Sequence, residues 1–202
     1  MAVGLRRTTM SDVARRAGLS RMTLYRAFAD LEEVVTMLME REFEAVIAAQ
    51  RAALDSLPDG RARLVEGTLG VIERLSAHRL LRRIAEVDPE LLLPYLLDHL
   101  GGTQQTAMAA LEELVRQGVD DGSIAAPDPS ATAYCLLIVG QSFIVSSRIS
   151  EREGRSEEAL RELRRLIEGY VAPRAADGIS ELMSTASRGA RSTAQAGRRP
   201  LQ

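Results

Sequence analysis

The stretch Thr9-Met10-Ser11-Asp12-Val13-Ala14-Arg15-Arg16-Ala17-Gly18-Leu19-Ser20-Arg21-Met22-Thr23-Leu24-Tyr25-Arg26-Ala27-Phe28 holds two helix starts and one helix stop in close succession. Thr9 with Asp12 three residues on is a capping pair that opens a helix from Met10 to Ala17, with Val13, Ala14 and Ala17 as its apolar face. Gly18 stops that helix, since a glycine accepts the left-handed backbone of a helix end. Ser20 then caps a second helix, Arg21 to Phe28, leaving room only for a tight turn between the two. Asp30 with Glu33 repeats the capping logic and starts a longer helix, with Val34, Val35, Leu38, Phe43, Val46, Ile47 and Leu54 at helical spacing, ending near Leu57-Pro58-Asp59-Gly60.

Further along, the same signals predict helices over 61–76, 78–87, 89–100, 103–117, 130–147 and 156–171. Asp88 caps the third of these, Pro89 takes its first position and Pro94 bends it, while Gly118 ends the fourth. Helix 130–147 is apolar nearly all round and must be covered on both sides; helix 156–171 is amphipathic, with Leu160, Leu163, Ile167 and Tyr170 on one stripe. Residues 174–202, rich in Ala, Ser, Arg and Gly, show no sustained apolar period and are expected to be disordered.

Composition agrees with an all-α fold. Of 202 residues, 46% are apolar but only 3% aromatic, so the residue types that strands favour are scarce. The longest apolar run, Leu91 to Leu97, is broken by Pro94 and far shorter than the ~20 residues of a membrane helix. No apolar run follows Arg6 and Arg7, and lone Cys135 cannot form an internal disulfide, so a cytoplasmic protein is expected.

The net charge of −2 conceals a segregation: residues 1–31 carry +4, residues 32–173 carry −9 and residues 174–202 carry +3. A basic head on an acidic body is the electrostatic footprint of a nucleic-acid reader, because phosphate binding needs local positive charge. The second short helix offers Ser20, Arg21, Met22, Thr23, Tyr25 and Arg26 to a major groove, where Arg21 or Arg26 can reach a guanine edge. Leu24 and Phe28, one turn apart, face inward against Val13.

The run Thr8 to Phe28, with Asp30-Leu31-Glu32-Glu33-Val34 after it, resembles the DNA-binding signature of the TetR family of bacterial transcriptional regulators. The Ala17-Gly18-x-Ser20 turn, the Leu24-Tyr25-x-x-Phe28 helix and Glu32-Glu33 before the long helix carry the resemblance. It implies a helix-turn-helix domain over 1–31, a helical regulatory and dimerisation domain over 32–173, and a homodimer reading a near-palindromic operator in double-stranded DNA. It also implies release by an unknown small-molecule effector, with no cofactor. Thr9, Ser20, Thr23 and Tyr25 would anchor phosphates; Arg21, Met22 and Arg26 would discriminate sequence, with Ser11 a further contact. Two departures are visible. Leu31 stands where members usually carry a phosphate-contacting Lys, and the family's first helix would precede Gly4, where only Met1, Ala2 and Val3 stand. The natural start is therefore expected upstream, and a head without that helix is expected to be loose.

Tyr95, His99, Gln141 and Ser142 are the polar groups on otherwise apolar segments that suit a ligand pocket in the body. An enzyme reading fails on inventory: there is no phosphate-binding glycine loop, no G-x-S-x-G and no H-E-x-x-H. His78, His99 and Cys135 match no transition-metal spacing, so no metal site is expected. The alternative to a ligand-responsive repressor is a helical ligand- or partner-binding module, deficient in DNA binding, that forms dimers with full-length relatives.

Overall fold

Capping side chains set the helix boundaries in the computed structural model, which describes residues 8–87 and 101–173. The described helices are α1 (Met10–Ala17), α2 (Arg21–Ala27), α3 (Leu31–Arg51), α4 (Gly60–Ser76), α5 (Arg79–Val87), α6 (Gly102–Asp120), α7 (Pro129–Arg152) and α8 (Ser156–Val171). No strand occurs among the described residues, and the fold is all-α. The expected helix 89–100, with its Asp88 cap and Pro94 bend, and the tail from Arg174 lie outside the described residues.

Each of the first three helices begins where its cap predicts. Thr9 accepts from the Asp12 N–H at 3.2 Å while the Asp12 carboxylate accepts from the Thr9 N–H at 3.2 Å, a complete capping box. Gly18 closes α1 at φ 68°, where any other L-residue is strained, and Leu19 N–H reaches back to Ala14 O at 2.9 Å. Ser20 accepts from Thr23 N–H at 3.0 Å, and Asp30 from Glu33 N–H at 2.9 Å. A small core joins the elements: Met10, Ala14 and Leu24 are buried, with Val13, Phe28, Leu31 and Val34 packed against them. Met10 is buried in this core, whereas Ala17, expected on the apolar face of α1, is exposed.

Three helix ends differ from expectation, the first being that of α7, which runs on past the expected residue 147 to Arg152. Helix α3 ends at Arg51; successive i→i+3 turns at Ala53 and Leu54 then swing the Leu54 side chain over Gly67 of α4, burying it. Gly118 does not end α6, which continues to Asp120 and is followed by Gly122 at φ 76°. Gly118 instead marks a close approach of backbones. A Cβ on Gly60, the first residue of α4, would lie 2.3 Å from Gly118 Cα. This contact also satisfies the open end of α4: Gly60 N–H donates to Asp121 at 2.7 Å, Arg61 N–H to Ser123 Oγ at 3.0 Å and Ala62 N–H to Asp59 at 2.7 Å. Hydrogen bonds from Ser123 and the Gly60 N–H, with the Arg63 charge, hold the Asp121 carboxyl below the usual aspartate range.

The body packs around α4. Leu64, Val65, Leu69 and Ile72 of α4 meet Val115 of α6, Leu136 of α7, and Leu163, Ile167 and Val171 of α8. A second cluster joins Val35, Met39 and Phe43 of α3 to Leu75 and Ile84. On α8, the buried stripe is Leu163, Ile167 and Val171, while Tyr170 turns outward. By length and composition alone α7 could cross a membrane; in this fold it packs against α4, α6 and α8. Only one of its faces is covered: Thr132, Ala133, Leu136, Leu137 and Gly140 are buried, whereas Tyr134, Ile138, Val145 and Ile149 are exposed.

Arg164 of α8 grips Glu66 of α4 through both guanidinium nitrogens, one of them at 3.0 Å. That grip lowers the Glu66 pKa below its ordinary 4.5 against the opposing effect of burial. Stabilisation from this pair is complete above pH 4.5 and is lost as the pH falls through the lower folded-state value. Glu66→Gln is therefore expected to flatten the acid limb of a Tm-against-pH profile below about pH 4.5, by no more than about 1 kcal/mol because both side chains are substantially exposed.

Candidate nucleic-acid interface and internal cavity

Helix α2 has one buried residue, Leu24, and everything on its other side faces out. Met22 is 66% exposed and Tyr25 54%, and the two lie one turn apart on the helix. Arg21 and Arg26 flank them on the same outward face, and both are exposed. Neither has a carboxylate partner among the described residues, whereas Arg15 is paired with Asp12 at 2.8 Å. The result is a short, firmly capped helix that presents two guanidinium groups, a thioether and a phenol.

The expected phosphate-contacting hydroxyls sit at the same end of the head but are already engaged. Ser20 and Thr23 share a hydrogen bond of 2.8 Å, and Thr9 Oγ1 donates to Asp12 at 2.7 Å. That bond is the largest of those holding the Asp12 carboxyl below its usual range. Ser11 is half-buried in the first turn of α1. Glu33 accepts the Ala29 N–H at 2.6 Å, which fixes the entry of α3 against α2. Leu31, in place of a lysine, faces inward and packs on the head core and on the body cluster alike.

Within the body, α3, α4, α5, α6 and α7 enclose a cavity of about 230 Å³. Its walls are mostly apolar: Phe43, Ile47, Val71, Leu111, Leu137 and Ile144 are among them. Small residues make the room, since Gly67, Ala107, Ala110 and Gly140 all line it. Gln50 is fixed in the wall, donating to Glu66 O at 3.1 Å and accepting from Arg74 at 3.0 Å, in space left open by Gly70. At the N-terminus of α6, which has no side-chain cap of its own, Glu40 of α3 accepts the Gly102 N–H at 3.2 Å.

Of the pocket residues predicted from sequence, Gln141 lines this cavity, Ser142 is exposed and lies outside the lining, and Tyr95 and His99 fall outside the described residues. Sequence reasoning missed Thr68 and Thr103. Both line the cavity, are 8% and 6% exposed, and have hydroxyls without a hydrogen-bond partner among the described residues. A signal for Thr68 was present, because it lies on the same helix face as Leu64 and Ile72. Among the described residues no group of three or more His, Cys, Asp or Glu side chains is placed to hold a metal ion.

Residues 1–36 match the model for bacterial regulatory proteins of the tetR family. The chain is similar, at 29% identity over 83% of its length and 86% of the relative's, to an uncharacterized HTH-type transcriptional regulator of Mycobacterium bovis. Its fold is similar to a TetR-family transcriptional regulator from Pectobacterium atrosepticum, with TM-score 0.67 and 19% identity over 84% of this chain and 87% of that one. It is also similar to the R. erythropolis transcriptional repressor QsdR, with TM-score 0.61 and 18% identity over 82% and 86%.

Proposed function

We propose that the chain is a transcriptional regulator of the TetR family and a homodimeric repressor, released from its operator when a small molecule enters the body cavity. The observation that carries the reading is the outward face of α2, with Arg21, Met22, Tyr25 and Arg26 exposed on a helix held in place only by Leu24 and its two caps. In this account Arg21, Met22 and Arg26 read base edges in the major groove. Tyr25 and the hydroxyls of Thr9, Ser20 and Thr23 contact phosphates, the hydroxyls exchanging their present partners for phosphate oxygens, and Ser11 lies beside them.

Two heads must sit about 34 to 36 Å apart, or a multiple of that, to meet successive half-sites on one face of B-DNA. The dimer contact we assign is the uncovered face of α7 and α8: Tyr134, Ile138, Val145 and Ile149 with Leu166 and Tyr170. Helix α3 links the two functions. Its first turn closes the head core through Leu31 and Val34, and its later turns line the cavity through Phe43, Ile47 and Gln50. A ligand that shifts α3 moves the head with it, and binding then favours whichever head spacing the ligand prefers.

Ile138→Asp is expected to turn a dimer into a monomer by light scattering, with helical content by circular dichroism unchanged. Operator affinity then falls because one head carries half the contacts. A dimer that persists in Ile138→Asp, and in Tyr134→Asp beside it, would place the subunit contact elsewhere.

A further inference from the structure

The first turn of α6 contributes a polar group to a cavity wall that is otherwise mostly apolar. Thr103, the second residue of α6, lines the cavity and is 6% exposed, and its hydroxyl has no hydrogen-bond partner among the described residues. Thr68, the other unpartnered hydroxyl of the lining, differs in kind. It stands within α4, where a threonine hydroxyl can rotate toward the carbonyl four residues back, that of Leu64, without leaving its own helix. Thr103 has no preceding turn of α6 to rotate toward, because the helix begins at Gly102. Leaving a buried donor unmade is unfavourable, and an acceptor atom that enters the cavity at Thr103 relieves that cost.

Charge decides what kind of acceptor fits. A bare helix N-terminus favours an anion, but here Glu40 already accepts the Gly102 N–H at 3.2 Å, and Glu44, one turn further along α3, accepts from the Thr106 hydroxyl at 3.3 Å. Two carboxylates therefore stand at this end of α6. The lining cations are elsewhere: Arg51 lies on the order of 16 Å along α3 from Glu40 at 1.5 Å per residue, and Arg63 faces Asp121 at 3.5 Å. A ligand carboxylate at Thr103 would lose its water beside two like charges, and an ammonium would lose its water against an apolar wall. Resting on the reading of this cavity as the effector site, we propose that its ligand is an uncharged, largely apolar molecule with a ketone or ester carbonyl that accepts from the Thr103 hydroxyl. The volume of about 230 Å³ sets the size. A core cavity of roughly 150 Å³ holds benzene, so by proportion a ligand of about nine non-hydrogen atoms fills this one.

The test is calorimetric titration of the full chain, without DNA, using octan-2-one, cyclooctanone, octanoate and octylamine. The tighter of the two ketones is expected to bind about tenfold or more tightly than octanoate or octylamine. Thr103→Val should lower its affinity about five- to tenfold, while the Tm of the unliganded protein stays level or rises because a buried group with nothing to bond has been removed. Thr68→Val should change that affinity by less than about twofold, since the hydroxyl it removes has its own helix to turn to. Glu40→Gln keeps an acceptor for Gly102 and removes a charge, so it should narrow the gap between ketone and octanoate. Tighter binding of octanoate or octylamine than of both ketones, unchanged ketone affinity in Thr103→Val, or no binding of either ketone would overturn the proposal. The effect of the ketone on the operator complex is read separately. A ketone that binds through Thr103 yet leaves DNA bound contradicts the effector role of the cavity while supporting the ligand class.

Discussion

Gly60→Ala is expected to lower stability by about 3 to 5 kcal/mol, the sum of an overpacked contact and of helix-end hydrogen bonds lost with it. The added Cβ would lie 2.3 Å from both Gly118 Cα and Gly118 N, and backbone, unlike the tip of a side chain, has no rotamer to escape into. Helix α4 must then lift away from α6. Lifting it strains the bonds from Gly60 N–H to Asp121 and from Arg61 N–H to Ser123, which satisfy donors that the first turn of a helix otherwise leaves open. For a body of this size the loss corresponds to a fall in Tm of about 10 °C, readable by circular dichroism during heating. Gly169→Ala is the control. Nothing lies within 4 Å of the added carbon at that position, it falls within α8, and it should stabilise by about 0.5 to 1 kcal/mol. A Gly60→Ala protein as stable as the parent would mean that the approach of α4 to α6 is looser than described.

The second large effect is on DNA. Arg21→Ala is expected to reduce operator affinity by about 10- to 100-fold and to relax the base preference at one position of each half-site, as follows when a bidentate base contact worth about 1 to 3 kcal/mol is lost. Tyr25→Ala should weaken binding to every DNA sequence alike, because its partner is a phosphate. Both side chains are exposed and neither belongs to the head core, so the melting temperature should not move in either variant. The two substitutions thus separate reading from anchoring. Measured by fluorescence anisotropy on labelled operator and on DNA of scrambled sequence, a uniform loss from Arg21→Ala would remove it from base recognition.

The head was the most legible part of the chain, because its structure is dictated locally. The caps at Thr9, Ser20 and Asp30 and the left-handed Gly18 are short-range events, and each is made as its spacing implies. The body was legible in element order and less so in its ends. Gly118 reads as a helix stop when only its own helix is considered; its meaning is set by Gly60, which packs on it from a different helix. Leu54 fits the helical period of α3 yet leaves the helix, because its burial over Gly67 depends on a partner far along the chain. Helix α7 looked too apolar for any surface, and the face it leaves uncovered is the one assigned to the proposed dimer contact. The cavity was the least legible: it is a space that Gly67, Ala107, Ala110 and Gly140 leave between five helices, and no local pattern announces it. Gln141 was picked out as an isolated polar residue, whereas Thr68 and Thr103 gain their significance from having nothing to bond to.

The most direct test of the account is a binding titration of the full chain against the DNA upstream of its own coding sequence, beside a scrambled duplex, over a series of salt concentrations. The account predicts tight binding to the upstream DNA alone at near-physiological salt, with log K falling against log[salt] by about 0.9 for each phosphate neutralised. Equal affinity for both duplexes, or none for either, would contradict it and leave a helical ligand- or partner-binding module that does not itself read an operator.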